Sequence, residues 1–369
     1  MTLEDERVRL TARIDSFEAL DKSRASVTIF YNFRHLIVSL FAAPTPEGQP
    51  LTAAPIENQL IHALQVYLAD KRQNEGTYEE YDPDGDWEDG WAKHYAFTMR
   101  AQKTILRLGR FAFAQSAPPV VTRPDGLTLQ DLLYPIEVHF RIQTVNGKVQ
   151  ISKIRPDQAA SLPSARHEPQ VCPTFKPDPD LPLFSAAEIQ VHRVASYCGA
   201  VCKAMLNGEI CVAKTHMLQY FCPRIYTEMT KLRQIGKAEE RFDIHLRTSK
   251  LLAYITEEET GAIIGYVGEW IESSRLGTTL DDVRIAKMPL SKRRKWADQI
   301  EETMKDLHAL NLVWGDCKPA HVIIDEDEDA WLIDLGNSFT DAWVDPKLEG
   351  TLEGDAMGLS RIQKWLGVV

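Results

Sequence analysis

Apolar residues recur at three- and four-residue spacings at Leu3, Val8, Leu10, Ile14, Phe17 and Leu20, and that spacing predicts a helix over 3–21. Residues 26–41, S-V-T-I-F-Y-N-F-R-H-L-I-V-S-L-F, are rich in β-branched and aromatic side chains and predict one or two strands. Helical spacing returns at Ile56, Leu60, Leu64, Tyr67 and Leu68, and again from Trp91 to about Phe113. Residues 136–154 alternate in two runs about Asn146-Gly147, a pair that supplies the positive φ angles of a tight hairpin turn. Residues 189–218 read as three strands with turns at Cys198-Gly199 and Asn207-Gly208, and two more strands are predicted around 246–255 and 261–267. A helix from Ser291 to Leu310 and two short apolar strands, at Ile323-Ile324 and within 330–336, complete the pattern.

The pattern stops between 156 and 182. Seven of the twenty prolines fall there (156, 163, 169, 173, 177, 179 and 182) with no apolar period. Such a stretch predicts a linker over 156–184, separating an α+β module at 1–155 from a second domain at 185–369. A length of 369 residues suits two domains. With 42 basic and 53 acidic residues the net charge is −11, which argues against a nucleic-acid partner for the whole chain. The acidic N-terminus has no signal-peptide apolar region, and the longest uncharged apolar stretches, such as 261–268, are too short to span a bilayer. The expectation is an intracellular protein, cytoplasmic or nuclear, with no membrane partner. Cysteines 172, 198, 202, 211, 222 and 317 include no C-x-x-C pair and no zinc-site spacing, so all six are expected to be reduced thiols. Asp82, Asp84 and Asp86 alternate as in a calcium loop, but Trp87 stands where that loop needs Gly, so a solvated acidic loop is expected.

The candidate chemistry lies near the C-terminus. Asp316 and Asp334 each sit at the edge of a short predicted strand, 18 residues apart, and Lys318 follows the first by two. Phosphoryl transfer needs one carboxylate to orient or deprotonate a hydroxyl, another to hold a metal on the nucleotide phosphates, and a cation to spread transition-state charge. Asp316, Asp334 and Lys318 can fill these roles in that order.

V-W-G-D-C-K-P-A-H at 313–321 resembles the catalytic loop H-R-D-x-K-x-x-N of the protein kinase-like superfamily, and D-L-G at 334–336 resembles D-F-G. I-C-V-A-K at 210–214 is similar to V-A-I-K, which implies that Ala213 and Lys214 line an ATP site. Glu228, on a predicted helix opened by Pro223, is the implied ion-pair partner of Lys214. E-W-I-E at 269–272 looks like the hinge that binds adenine, implicating Glu269 and Ile271. Val201 matches the valine that covers adenine, with Gly199 the one glycine left of the glycine-rich loop. G-T-L-E-G-D at 350–355 resembles the opening of a central helix whose Asp355 anchors the catalytic loop. The resemblance covers about 187–369 and is closest to the kinase-like domain of fungal proteins. It implies an α+β fold: a two-lobed kinase-like domain with a reduced large lobe. It also implies an ATP-dependent phosphotransferase acting on a hydroxyl, Ser/Thr-type by resemblance, with Mg or Mn as cofactor. The acceptor is an unidentified protein or small molecule. A small-molecule kinase resembling aminoglycoside phosphotransferases, or a nucleotide-binding pseudokinase scaffold, stands as the alternative.

Several positions depart from the pattern. Val194 and Ser196 replace two glycines of the loop, and Trp314-Gly315 replace His-Arg. His321 stands where the family places a metal-binding Asn, and an imidazole suits Mg²⁺ less well than an oxygen ligand does. Only 21 positions separate Asp334 from Asp355, which leaves little platform for a peptide substrate.

Overall fold

Two alternating runs joined by Lys22-Ser23 fold as antiparallel strands and begin the first of two units. The structure, a computed structural model, describes residues 12–32, 34–75, 87–117, 126–160, 172–195, 201–216, 223–337, 339–340 and 342–369; of these, 12–20, 67–75, 87–100 and 102 are described by their backbone alone. The first unit comprises residues 1–125 and 134–167, the second 126–133 and 168–369. The protein is α+β. Among the described residues no helix is long and apolar enough to cross a membrane. The acidic loop carrying Asp82, Asp84 and Asp86 lies outside the described residues.

In the first unit, β1 (Ala12–Asp21), β2 (Arg24–Tyr31), β3 (Arg34–Phe41), β4 (Ile136–Val145) and β5 (Lys148–Lys153) form one sheet in that order. Between β3 and β4, which run parallel, come α1 (Ile56–Glu75) and α2 (Trp87–Ser116). Alternation puts Val27, Ile29, Leu36, Val38, Leu40, Phe140 and Ile142 in one core with Leu60, Leu64, Ile105 and Phe113. The β4–β5 hairpin turns on Asn146 and Gly147, with φ of 51° and 72°.

The helix expected over 3–21 is not formed where it can be seen: residues 12–21 are a strand. Irregularities between Ile14 and Ser16, and between Ala19 and Asp21, each add a residue to β1. Ile14 therefore registers with Ile29 and Phe17 with Val27. Bulged at those points, a strand keeps residues three apart in phase, which imitates the helical period.

The second unit has a six-stranded sheet. Its strands are β6 (Leu183–Ser185), β7 (Gln190–Val194), β8 (Val201–Leu206), β9 (Glu209–Thr215), β10 (Leu251–Thr256) and β11 (Ile263–Glu269), in the order β6-β10-β11-β9-β8-β7. The β8–β9 turn is at Asn207-Gly208, both at positive φ. A short helix α3 (Leu129–Leu133), reached by the chain between α2 and β4, belongs here. Leu129 N–H donates to the Ile189 carbonyl (2.8 Å), Gln130 N–H to Ala186 (3.0 Å) and Val191 N–H to Leu127 (2.8 Å). Helices α4 (Pro223–Phe242), α5 (Leu290–Ala309) and α6 (Leu352–Leu366), with the hairpin of β12 (Val322–Ile324) and β13 (Ala330–Leu332), complete the unit. Trp296, Ile300, Leu307, Trp314, Ile324, Leu332 and Ile362, all buried, form its core.

The proline count predicts a linker over 156–184, and the packing differs. Residues 156–160 stay with the first unit, where Ala160 N–H donates to Ser39 Oγ at 2.9 Å. Residues 161–171 lie outside the described residues. Residues 172–184 lie along α4 and β10. Phe175 packs against Tyr226, tilted, and against Tyr254, edge to face, with centroids 5.1 and 5.8 Å away. Asp178 binds Lys237 and also Arg233 Nε at 2.7 Å, and hydrogen bonds from these cations hold its carboxyl well below the usual range. One aromatic and one acid anchor this stretch despite its prolines.

Candidate active site

Lys214 sits on β9, where it registers with Val201 on one side and Tyr266 on the other. That register points its side chain toward α4. Its Nζ is 2.7 Å from Glu228 Oε2 and 2.8 Å from Asp334 Oδ1. Glu228 is almost fully buried on α4; it also accepts from Leu335 N–H at 3.3 Å and from the Tyr266 hydroxyl. Burial opposes the Lys214 charge, yet Glu228, Tyr266 and Asp334 together hold its pKa above the ordinary value. Burial, with the nearby Asp334 charge adding to it, holds the Glu228 carboxyl above its ordinary value despite Lys214.

Asp334 follows β13 with φ of 64°, a left-handed conformation that few non-glycine residues adopt. Its neighbours pin it. Ile333 N–H donates to the His321 carbonyl at 3.0 Å, and the Trp314 indole donates to the Ile333 carbonyl at 2.9 Å. Burial would raise the Asp334 carboxyl, but Lys214, His321 and Lys318 pull it below the ordinary value. On the other side His321 Nε2 is 3.1 Å from Asp334 Oδ2, and His321 Nδ1 is 3.0 Å from the Asp316 carbonyl.

Asp316 closes the set. Lys318 Nζ is 2.8 Å from Asp316 Oδ2 and 2.8 Å from Thr340 Oγ1, and Thr340 Oγ1 donates to Asp316 Oδ1 at 3.1 Å. The loop bearing Asp316 hangs from α6: Asp355, buried, accepts Trp314 N–H at 2.7 Å and Gly315 N–H at 2.8 Å, and pairs with His308 at 2.8 Å. This is the anchoring that the resemblance implies for Asp355. Gly315 has φ of 98°, and a Cβ there would stand 2.5 Å from Asn337 Oδ1, so only glycine fits.

The residues named from sequence are therefore brought together in part. Glu228, Lys214, Asp334, His321, Asp316 and Lys318 form an unbroken chain of contacts. Val201 and Ala213 lie on the same strands, Ala213 fully buried beside Cys202 and Val267. Glu269 ends β11 opposite Cys211, its backbone bonded to Lys250 and Ser249, and Ile271 lies two residues on; among the described contacts neither touches the Glu228-to-Lys318 set. Gly199 lies outside the described residues. Cys172, Cys202, Cys211 and Cys317 are in no disulfide; Cys198 and Cys222 lie outside the described residues.

His321 and Asp334 pass a chemical test for a divalent ion. Burial lowers the His321 pKa, favouring the neutral ring. With Nδ1–H donating to the Asp316 carbonyl, Nε2 presents a lone pair to a carboxylate, an arrangement that a cation satisfies. Among the described residues no group of three or more His, Cys, Asp or Glu forms a complete metal cage. Two protein ligands suit an ion that takes its remaining ligands from water and phosphate.

Three participants carried no assigned role in the sequence reading. Thr340 lies in the run N-S-F-T-D-A-W-V-D, where its contacts with Lys318 and Asp316 reveal it. Tyr266 is an aromatic in a strand. Lys231 is a lysine three residues after Glu228, hence on the same helical face, which is a readable signal. The basic run at 292–295 is partly neutralised by the acidic turn: Lys292 meets Glu328 at 2.5 Å and Lys295 meets Asp329 at 2.8 Å. No family model matches this chain, and no curated protein sequence matches it.

Proposed function

We propose that the second unit is a two-lobed, protein kinase-like phosphotransferase that binds ATP with Mg²⁺ or Mn²⁺ and transfers the γ-phosphate to a hydroxyl. The observation that carries this reading is the unbroken chain Glu228–Lys214–Asp334–His321–Asp316–Lys318, drawn from a strand, a helix and two loops remote in sequence. Glu228 holds Lys214, whose ammonium contacts the α- and β-phosphates. Asp334 and His321 hold the divalent ion, which neutralises charge on the phosphate oxygens when bound. Asp316 orients the acceptor hydroxyl and takes its proton, while Lys318 stabilises charge on the transferring group. The bond from the γ-phosphorus to the bridging β–γ oxygen breaks as one to the acceptor oxygen forms. Adenine lies against Val201, Ala213 and the 269–272 segment.

Within this reading the acceptor is a small molecule rather than a folded protein. Between Asp334 and α6, which begins at Leu352, the only helical element among the described residues is the turn Pro346–Leu348. A peptide-docking platform would have to be built there. The test is a thermal-shift titration of the full chain with ATP and each divalent ion. Ligand at about 100 times its dissociation constant stabilises by about 2.7 kcal/mol, a shift of several degrees. No shift at millimolar ATP with either ion would overturn the reading.

A further inference from the structure

Lys231 is 7% exposed, on α4 among Met229, Leu232 and Ile235, which are buried. Its Nζ donates to the Val313 carbonyl at 2.7 Å and to Asn337 Oδ1. Both acceptors are uncharged. Among the described residues no carboxylate lies within ion-pair distance of it; Asp355 and Glu228 act on it only from farther off. A buried ammonium without a paired carboxylate is expensive for a fold, and an apolar side chain of the same length would serve packing better. Rules broken in this way mark functional positions.

The two acceptors show what the ammonium does. Val313 lies three residues before Asp316, and Asn337 three residues after Asp334. Asn337, at φ of 59°, rests against Gly315, the residue before Asp316. On the same face of α4, Glu228 reaches Lys214 and Leu335 N–H. One helix thus grips β9 and the 334–337 segment through Glu228, and the 313–316 loop through Lys231.

We infer that Lys231 is a positioning residue: its ammonium ties the loop of Asp316 and the loop of Asp334 to the helix of Glu228, and so fixes the spacing of the two carboxylates. Its consequence for catalysis rests on the phosphotransferase reading; the tie itself does not.

Hydrogen exchange on the full-length chain without ligand tests it, comparing the parent with Lys231→Met. Peptides covering 312–317 and 334–337 exchange at least tenfold faster in the variant, while those covering 251–269 are unchanged. Acceleration spread evenly over the second unit, or none in the two segments, overturns the inference. Asn337→Gly, which suits the positive φ, gives a second arm should Lys231→Met fail to fold. It loosens 334–337 alone, since the Val313 bond remains, and no change at 334–337 overturns the inference. ATP affinity is measured in parallel with Mn²⁺ present and falls about tenfold in Lys231→Met. If the parent itself binds no ATP, the phosphotransferase reading fails while the exchange pattern still decides the role of Lys231.

Discussion

Replacing Lys214 with Met removes the cation that compensates Glu228. The Glu228 side chain is 3% exposed, and its remaining donors are one long backbone contact and a phenol. Removing one partner of a buried pair costs about 3–5 kcal/mol, because the other charge is left uncompensated. With a urea m-value of about 2 kcal/mol/M, the midpoint falls by about 2 M. Tryptophan fluorescence is a suitable probe, since Trp270, Trp296, Trp314, Trp331, Trp343 and Trp365 all lie in the second unit. The deficit also depends on pH. Burial already raises the Glu228 carboxyl, and without Lys214 it rises further. A carboxyl raised in the folded state binds more protons there than in the unfolded chain. Stability is then retained below the unfolded value of about 4.5 and lost as pH rises through the folded value. The Lys214→Met deficit is thus smaller at pH 5 than at pH 8, and adding Glu228→Gln recovers most of it and removes the pH dependence. An unchanged midpoint at pH 8, or a deficit indifferent to both pH and Glu228→Gln, would refute the account of this pair.

Two further outcomes are expected. Nucleotide binding is stronger with Mn²⁺ than with Mg²⁺, because His321 offers nitrogen, and His321→Asn shifts the preference toward Mg²⁺; calorimetry giving the same Mn²⁺/Mg²⁺ affinity ratio in both proteins would remove His321 from the ion. Burial lowers the Lys231 ammonium from 10.5 to about 8, so the folded state sheds its proton before the unfolded state does. Stability rises with pH between about 8 and 10.5 by about 3 kcal/mol, and the rise is absent in Lys231→Met; parallel stability curves for the two proteins would contradict it.

What could be read in the sequence followed from local chemistry. Asn146-Gly147 and Asn207-Gly208 are turns because few other pairs accept those φ angles, so both hairpins were legible. The 210–214, 313–321 and 334–336 segments stood out in the sequence because few residue types suit phosphoryl transfer, and the fold brings Lys214, Asp316, Lys318, His321 and Asp334 into one run of contacts. β1 was not, since its bulges imitate a helical period. Nor was the role of 126–133: a short L-T-L-Q-D-L-L run says nothing about which sheet edge it will meet. Phe175 and Asp178 show why composition misjudged the 172–184 segment, for two anchoring side chains outweigh several prolines. Thr340 acts through contacts made only after distant segments converge, and no spacing rule reports those; for Lys231 the spacing from Glu228 reports the shared helical face but not the Val313 and Asn337 acceptors it meets.

The placement of α3 has a consequence for how the chain can be divided. The polypeptide leaves the first unit after 125, returns after 133 and leaves again after 167, so the two units are interlaced rather than strung end to end. A gene fragment beginning at residue 168 would encode a sheet whose outer strand, β7, lacks the main-chain partner that Leu127 supplies to Val191, and the Leu129 bond to Ile189 just before it. A single nick between 161 and 171 would give two fragments, the first still carrying a piece of the second unit's fold, and they would elute as one species.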